Sequence, residues 1–484
     1  MSTQHTSGLE VRIYQVVFAL LFVGLFLVVM PSLMRGSIAK AGMVVGLILG
    51  TSLVFALDRL YWVMVPVLAM SGLSIRGLPF SGQELGCLTV VAVYFVRLGL
   101  GRERSIAFNR DLLIVFPMMI WMMLVFFLNP VGMAMFGSET IGGRFYFQIV
   151  IGFLALLVLS TVRVREQDAR ILFYGMLAAA SWSLLRGVIF PGTDPDALVM
   201  EGETPERSAR YAFVTASVIF MLLYARYPLS RILSAPGKLF LFLFLALLTV
   251  YSGKRRAFGT IALVPYLRAF LTGKERFLTM VISAVAVVFL LFAVVGDGSA
   301  YRLPRSARRA LSVVVPKYQK NAEDGGIYDA FRRHMREQAR YVIRENPWFG
   351  RKGFAMSLNE TAWILTGRGR TSLYAGHAYA GNWHSAWYSY AADFGLPCLF
   401  FWTVFVIYLV RYCLRAVRTV VWGIWLPTCS LFVIQSILVD LIFSYTSGHS
   451  AHTALEMWMK YGMLLSLVRG YQEQFITPPQ FRSI

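Results

Sequence analysis

The sequence predicts an all-helical protein that crosses a membrane about 12–14 times, with one large polar loop holding short helices. Three observations lead there. Hydrophobic residues fill 57% of the 484 positions and charged residues only 15%, where a soluble domain carries about 25% charged. The mean hydropathy is +0.62. Apolar runs recur along the chain, most of them near the roughly 17–25 residues that a helix needs to cross a hydrocarbon core.

The first eleven runs fall at 13–33, 38–57, 60–75, 83–100, 112–129, 145–162, 170–190, 211–225, 238–251, 257–271 and 277–296. They make an N-terminal bundle of residues 1–296. The first run has no small-residue cleavage site behind it and reads as a retained helix. A basic polar loop follows at 297–383, and runs at 385–410, 421–445 and 450–468 supply the C-terminal helices of residues 384–470. Residues 471–484 form a tail.

Cations sort the loops between these runs. Arg97, Arg102, Arg104 and Arg110 share one short loop, and Arg163, Arg165 and Arg170 another. Arg226, Arg231 and Lys238 follow, then Arg268, Lys274 and Arg276, then Arg411, Arg415 and Arg418. With the runs above, all five clusters fall on one side, which the positive-inside rule makes cytoplasmic, together with both termini. The loops at 130–144, 191–210, 252–256, 297–383 and 446–449 then face outward.

The net charge of +21 would point to nucleic acid in a soluble chain. Here insertion explains it, so the expected surroundings are membrane lipids and no nucleic acid. Cys87, Cys398, Cys413 and Cys429 lie in or beside apolar runs and give neither a disulfide framework nor zinc spacing.

Two outward loops carry cations against that rule. Ser252-Gly253-Lys254-Arg255-Arg256 places three in a very short loop, and cations kept on the wrong side usually have an anion to meet. The large loop holds fifteen Lys and Arg against seven Asp and Glu, a net +8. Within it, Ile327 to Glu345 reads as an amphipathic helix with Tyr328, Phe331, Met335 and Val342 on one edge. Arg332, Arg336, Arg340 and Arg344 lie four apart and stack into a stripe. The stripe is either a solvated face drawn to anionic head groups or the lining of a groove for phosphate. Asn346-Pro347 stops the helix, and Trp348-Phe349-Gly350 makes an aromatic turn suited to the membrane interface.

The loop ends in Gly381-Asn382-Trp383-His384-Ser385 and runs into an apolar helix. From His384, an acid follows nine positions on at Asp393, then Gly395-Leu396. This pattern resembles the bacterial O-antigen ligases and O-antigen polymerases. Ser385 stands where that family usually has Asn, and Pro397-Cys398 near its second glycine. Asn346-Pro347-Trp348-Phe349-Gly350 is similar to the family's Asn-Pro turn. The segment Leu248 to Arg255 is similar to its apolar helix ending in an arginine, and Arg210 is a weaker match to a second arginine, with Arg207 competing. The resemblance covers about residues 205–470 and leaves the N-terminal helices unmatched.

The resemblance implies a membrane glycosyltransferase of the bacterial inner membrane that needs neither metal nor other cofactor. Its donor would be an undecaprenyl-diphosphate-linked glycan, its acceptor a glycan or a lipid A core, and its site would face the periplasm. His384 would be the base, with Arg255 and Arg210 as catalytic partners. Arg256, Arg207, Arg332, Arg336 and Arg340 would bind substrate. His377 is the rival base or a further binding residue.

The chemistry suits these residue types. Charge builds on a departing diphosphate, which guanidinium groups stabilise best where water is excluded. An imidazole with pKa near ~6.5 suits proton removal from an attacking hydroxyl. Asp393, deep on the helix, reads as structural support able to orient a loop arginine. Asp440, inside an apolar run, either pairs with a neighbouring cation or marks a polar cavity, and Glu456 is expected to pair with Lys460. Asp194-Pro195-Asp196 is either solvated acid or a cation site, and His449 and His452 form only a weak ligand pair. The competing class is a transporter or flippase for an anionic lipid-linked glycan, although the chain lacks the internal repeats usual there.

Overall fold

The structure, a computed structural model, describes residues 58–71, 81–103, 105–106, 108, 110–129, 142–189, 205–252, 254–273, 275–281, 284, 323–353, 383, 385–447 and 454–476. Of these, 58–59, 142–144, 205–211, 255, 323–332, 444–447 and 454 are described through the backbone alone. Among the described residues 85% are helical and none forms a strand. Among the described residues, four helical stretches are long and apolar enough to cross a membrane: Arg110–Leu128, Glu166–Ile189, Leu396–Thr419 and Trp425–Phe443.

A helical turn at Asp58–Val63 leads into α1 (Met64–Met70), and α2 (Gly82–Gly99) follows. Ser81 starts α2 with a reciprocal cap: its Oγ accepts the Glu84 N–H at 3.3 Å, and Glu84 Oε2 accepts the Ser81 N–H at 2.5 Å. Next come α3 (Arg110–Leu113), α4 (Phe116–Leu128, with Pro117 in its first turn), α5 (Gly142–Thr161) and α6 (Glu166–Ile189). They are followed by α7 (Pro205–Arg226), α8 (Leu229–Leu233), α9 (Pro236–Tyr251) and α10 (Arg255–Thr272). The loop helix is α11 (Glu323–Glu345). Then come α12 (Ala386–Phe394), α13 (Leu396–Thr419), α14 (Trp425–Ser447) and α15 (Ala454–Tyr471).

Small residues let the helices approach closely. A Cβ on Gly152 of α5 would lie 2.9 Å from the Leu455 Cα of α15, and one on Gly462 would lie 2.9 Å from Leu159 Cβ. Without a hydrophobic force between helices in lipid, such backbone proximity is the main source of packing energy. Large apolar side chains face away from the bundle, among them Phe127 at 74% exposure and Phe240 at 72%. That surface suits hydrocarbon and would aggregate in water.

At one end of the bundle the basic loops are tied together. Glu166, opening α6, accepts backbone N–H groups of Ile424 and Trp425 at 2.6 Å and of Leu426 at 3.0 Å, capping α14. Arg163 pairs with Glu473 at 2.6 Å. The guanidinium groups of Arg226 and Arg170 lie 5.0 and 6.0 Å from the Trp425 ring centroid. Glu275 accepts the N–H groups of Leu229 and Ser230, each at 2.9 Å, at the start of α8. Burial works against its charge, and the Ser230 and Leu229 donors overcome it, holding the carboxyl below its ordinary value.

Several expected boundaries differ. The apolar run at 385–410 is two helices, because Gly395 breaks it at φ +86° and Pro397 sits in the first turn of the second. The run at 60–75 becomes a 3-10 turn and the seven-residue α1. The run at 211–225 extends back, since α7 starts at Pro205 and takes Arg207 and Arg210 into its first two turns. The loop helix begins at Glu323 and continues through Gly325-Gly326. The runs at 13–33 and 38–57, the end of the run at 277–296, and loop segments 297–322 and 354–382 lie outside the described residues.

Candidate functional site

Two motifs some forty residues apart interlock at the start of α13. After Glu345, the Asn346-Pro347 stop leaves α11 and the chain turns through Trp348 to Gly353. This turn docks on α12 through the backbone. The Arg351 N–H donates to Ala392 O at 2.8 Å, Gly353 N–H to Asp393 O at 2.7 Å, and Leu396 N–H to Pro347 O at 2.8 Å.

Both motif glycines are required by this contact. Gly350 has φ +57°, and a Cβ there would lie 2.3 Å from Ala392 O; Gly395 has φ +86°, and its Cβ would lie 1.9 Å from Trp348 O. No larger residue fits either position without parting the two segments.

The side chains reinforce the joint. Asp393 is fully buried, and its Oδ1 accepts from Arg351 Nε at 2.7 Å and from Trp383 Nε1 at 2.9 Å. The guanidinium of Arg351 lies 5.8 Å from the Trp383 ring centroid. Asp393 Oδ2 has no hydrogen-bond partner among the described residues. The aromatic turn divides: Phe349 stacks on Trp121 of α4 with centroids 5.4 Å apart and planes within 9°, while Trp348 stays 68% exposed. Only Trp348 is therefore available to a membrane interface. Trp121 Nε1 donates to Phe394 O at 2.8 Å, and Asn129 Nδ2 to Lys352 O at 3.1 Å.

The loop helix packs on the same joint. Met335 and Ala339 are buried against Trp383 and Ala392, with Val342, Ile343 and Tyr388 alongside. Of the expected apolar edge of α11, Met335 and Val342 thus face this cluster, while the side chains of Tyr328 and Phe331 lie outside the described residues. Of the arginine stripe, Arg340 is exposed and donates to Tyr388 Oη at 3.1 Å, its guanidinium 5.8 Å from that ring's centroid. Arg336 is half-buried, and Arg332 lies on α11 with its side chain undescribed.

A second polar cluster joins α10, α14 and α15. Asp440 on α14 accepts from Arg256 in the first turn of α10 through Oδ1 and from Lys460 on α15 through Oδ2. Lys460 also reaches Glu456 Oε1 at 2.5 Å, one turn earlier. The Asp440 side chain is 5% exposed, whereas the Arg256 side chain is 47% exposed.

The two clusters lie toward one end of the bundle. Residues 420–424 join α13 to α14, so the start of α13 and the late turns of α14 lie at the same end of that antiparallel pair. Gly187, near the end of α6, packs against Ala212 of α7, and Phe213 meets Tyr251 at 5.7 Å. The first turns of α7, with Arg207 and Arg210, therefore lie at the end opposite the Glu166 cap. Arg255 opens α10 there, its side chain undescribed. His384, flanked by the buried Trp383 and Ser385, lies outside the described residues, as do His377, Asp194, Asp196, His449 and His452.

Sequence reasoning passed over Arg351 and Trp383 as partners for Asp393. Their signals were present: a cation directly after the Asn-Pro-x-x-Gly turn, and an indole directly before His384. No protein-family model and no curated protein matches this chain.

Proposed function

We propose that this protein is a membrane glycosyltransferase resembling the O-antigen ligases and polymerases. In this reading it crosses the bacterial inner membrane about 12–14 times, and residues 297–383 form a large periplasmic loop. It moves a glycan from undecaprenyl diphosphate to an acceptor hydroxyl on a lipid A core or another glycan. The observation that carries the reading is the interlock of the Asn346–Gly350 turn with the Ala386–Gly395 segment. These are two of the motifs on which the resemblance rests, and their backbones are joined.

The transfer breaks the bond between the anomeric carbon and its phosphate oxygen and forms one from that carbon to the acceptor oxygen. The electron pair of the broken bond leaves on the diphosphate. Arg255 and Arg210, with Arg256 and Arg207 beside them, neutralise that charge. The hydroxyl proton passes to the His384 imidazole and then to water. Arg332, Arg336 and Arg340 hold further anionic or polar parts of the substrate, since the planar guanidinium fork suits phosphate. His377 is the alternative base. The activated donor supplies the driving force, so the scheme asks for no metal or other cofactor.

The surface glycan of a strain lacking the protein tests this reading and sorts its two forms. Long chains left on the lipid carrier indicate a ligase; single repeat units left on the carrier or core indicate a polymerase. An unaltered glycan profile contradicts both. The second reading, a flippase for the same anionic lipid, draws on the paired charges of Arg256, Asp440 and Lys460 inside the bundle. Purified protein that moves labelled lipid-linked glycan across a bilayer with its bonds intact would favour it.

A further inference from the structure

The Arg256 guanidinium is the best-defined cation at the proposed donor site. It sits in the first turn of α10, directly after Arg255, and its side chain is about half exposed. One of its nitrogens, Nη2, donates to Asp440, and no other hydrogen bond holds it among the described residues. Its remaining N–H groups have no hydrogen-bond partner among the described residues, and nearly half of the side chain is exposed.

Asp440 is built to fix that orientation. It lies on a different helix, its carboxylate is buried, and its two oxygens are divided between two cations, Arg256 and Lys460. Lys460 is itself held by Glu456, so Asp440 is braced from behind by α15. A carboxylate locked this way cannot follow Arg256 if the arginine swings. It holds Arg256 through Nη2 alone, and a guanidinium bonded through one nitrogen keeps donors for a second, bidentate partner such as diphosphate.

We infer that Asp440 is a positioning residue for donor binding, acting through Arg256 to present its free edge to the diphosphate of a polyprenyl carrier. This rests on the glycosyltransferase reading above. Asp440 touches no substrate, so its effect must vanish when Arg256 is absent. A residue that merely stabilised the bundle would behave otherwise: it would lower thermal stability and act equally with or without Arg256.

The test uses the full-length protein in nanodiscs, with undecaprenyl diphosphate as the probe and binding followed by native mass spectrometry. Arg256→Ala and Asp440→Asn should each weaken binding by about tenfold, the scale of one charge-assisted hydrogen bond. Adding Asp440→Asn to Arg256→Ala should weaken it no further. Asp440→Glu should recover part of the affinity. If Asp440→Asn fails to fold because Lys460 is left short of a counter-charge, Asp440→Asn with Lys460→Met removes the imbalance and gives the same readout. Wild-type affinity in the Asp440 variants, or an equal loss with and without Arg256, overturns the inference while Arg256 remains a donor ligand. Absence of undecaprenyl diphosphate binding by the parent protein overturns the parent reading, and this inference with it.

Discussion

Replacing Gly395 by alanine should separate the two halves of the proposed site, and the cost follows from the structure. At φ +86° an alanine is strained by about 1–2 kcal/mol before any neighbour is considered. Its Cβ would lie 1.9 Å from Trp348 O, 2.3 Å from the Trp348 carbonyl carbon and 2.8 Å from Phe349 N. All three are backbone atoms, so no side-chain rotation relieves the contact. The turn must retreat, and the bonds from Arg351 N–H, Gly353 N–H and Leu396 N–H to α12 and Pro347 then lengthen or break. At about 1 kcal/mol net for each of the three hydrogen bonds, added to the strain, the total reaches roughly 4–5 kcal/mol. Gly101 is the control: it has φ +70° with nothing within 4 Å of a built Cβ, so Gly101→Ala carries the strain alone. Thermal unfolding in detergent and amide exchange across 346–353 measure both variants. Gly395→Ala should unfold well below Gly101→Ala and lose protection in the turn. Equal behaviour of the two would refute the interlock as a structural constraint.

Two further predictions concern charge. Arg351→Met leaves the fully buried Asp393 carboxylate with, among the described residues, the Trp383 indole N–H alone, which should cost about 3–5 kcal/mol; Arg351→Met with Asp393→Leu should recover much of that loss in the same unfolding assay. Glu275 has its carboxyl held below the ordinary 4.5 by the Ser230 and Leu229 donors, which outweigh burial, so its contribution to stability is complete above that value and disappears as pH falls through the lowered one. Glu275→Gln should therefore lower the unfolding temperature at neutral pH, and the gap from the parent should close in acid; a gap that widens in acid would show the sign to be wrong.

Helix positions were legible because hydropathy dictates them. The runs at 83–100, 145–162 and 238–251 became Gly82–Gly99, Gly142–Thr161 and Pro236–Tyr251. The pairing of Glu456 with Lys460 followed from their one-turn spacing, and of the two readings open for Asp440 the structure shows the cation pair. The break at Gly395 was hidden because Phe394 and Leu396 keep the run apolar on both sides. Gly395 followed by Pro397 was the local signal, a helix end and a helix start placed side by side. The partner of Asp393 could be anticipated as a loop arginine, but not as Arg351, since forty residues of chain separate them and only the folded turn brings them together.

The most direct measurement is glycan transfer by the purified protein from a labelled undecaprenyl-diphosphate donor to an added acceptor, with His384→Ala and Arg255→Ala beside the parent. The account predicts a new glycosidic product and released undecaprenyl diphosphate for the parent, and neither product for the two variants, each still inserted and folded. Full transfer by either variant, or labelled donor carried intact across the bilayer by the parent, would contradict it.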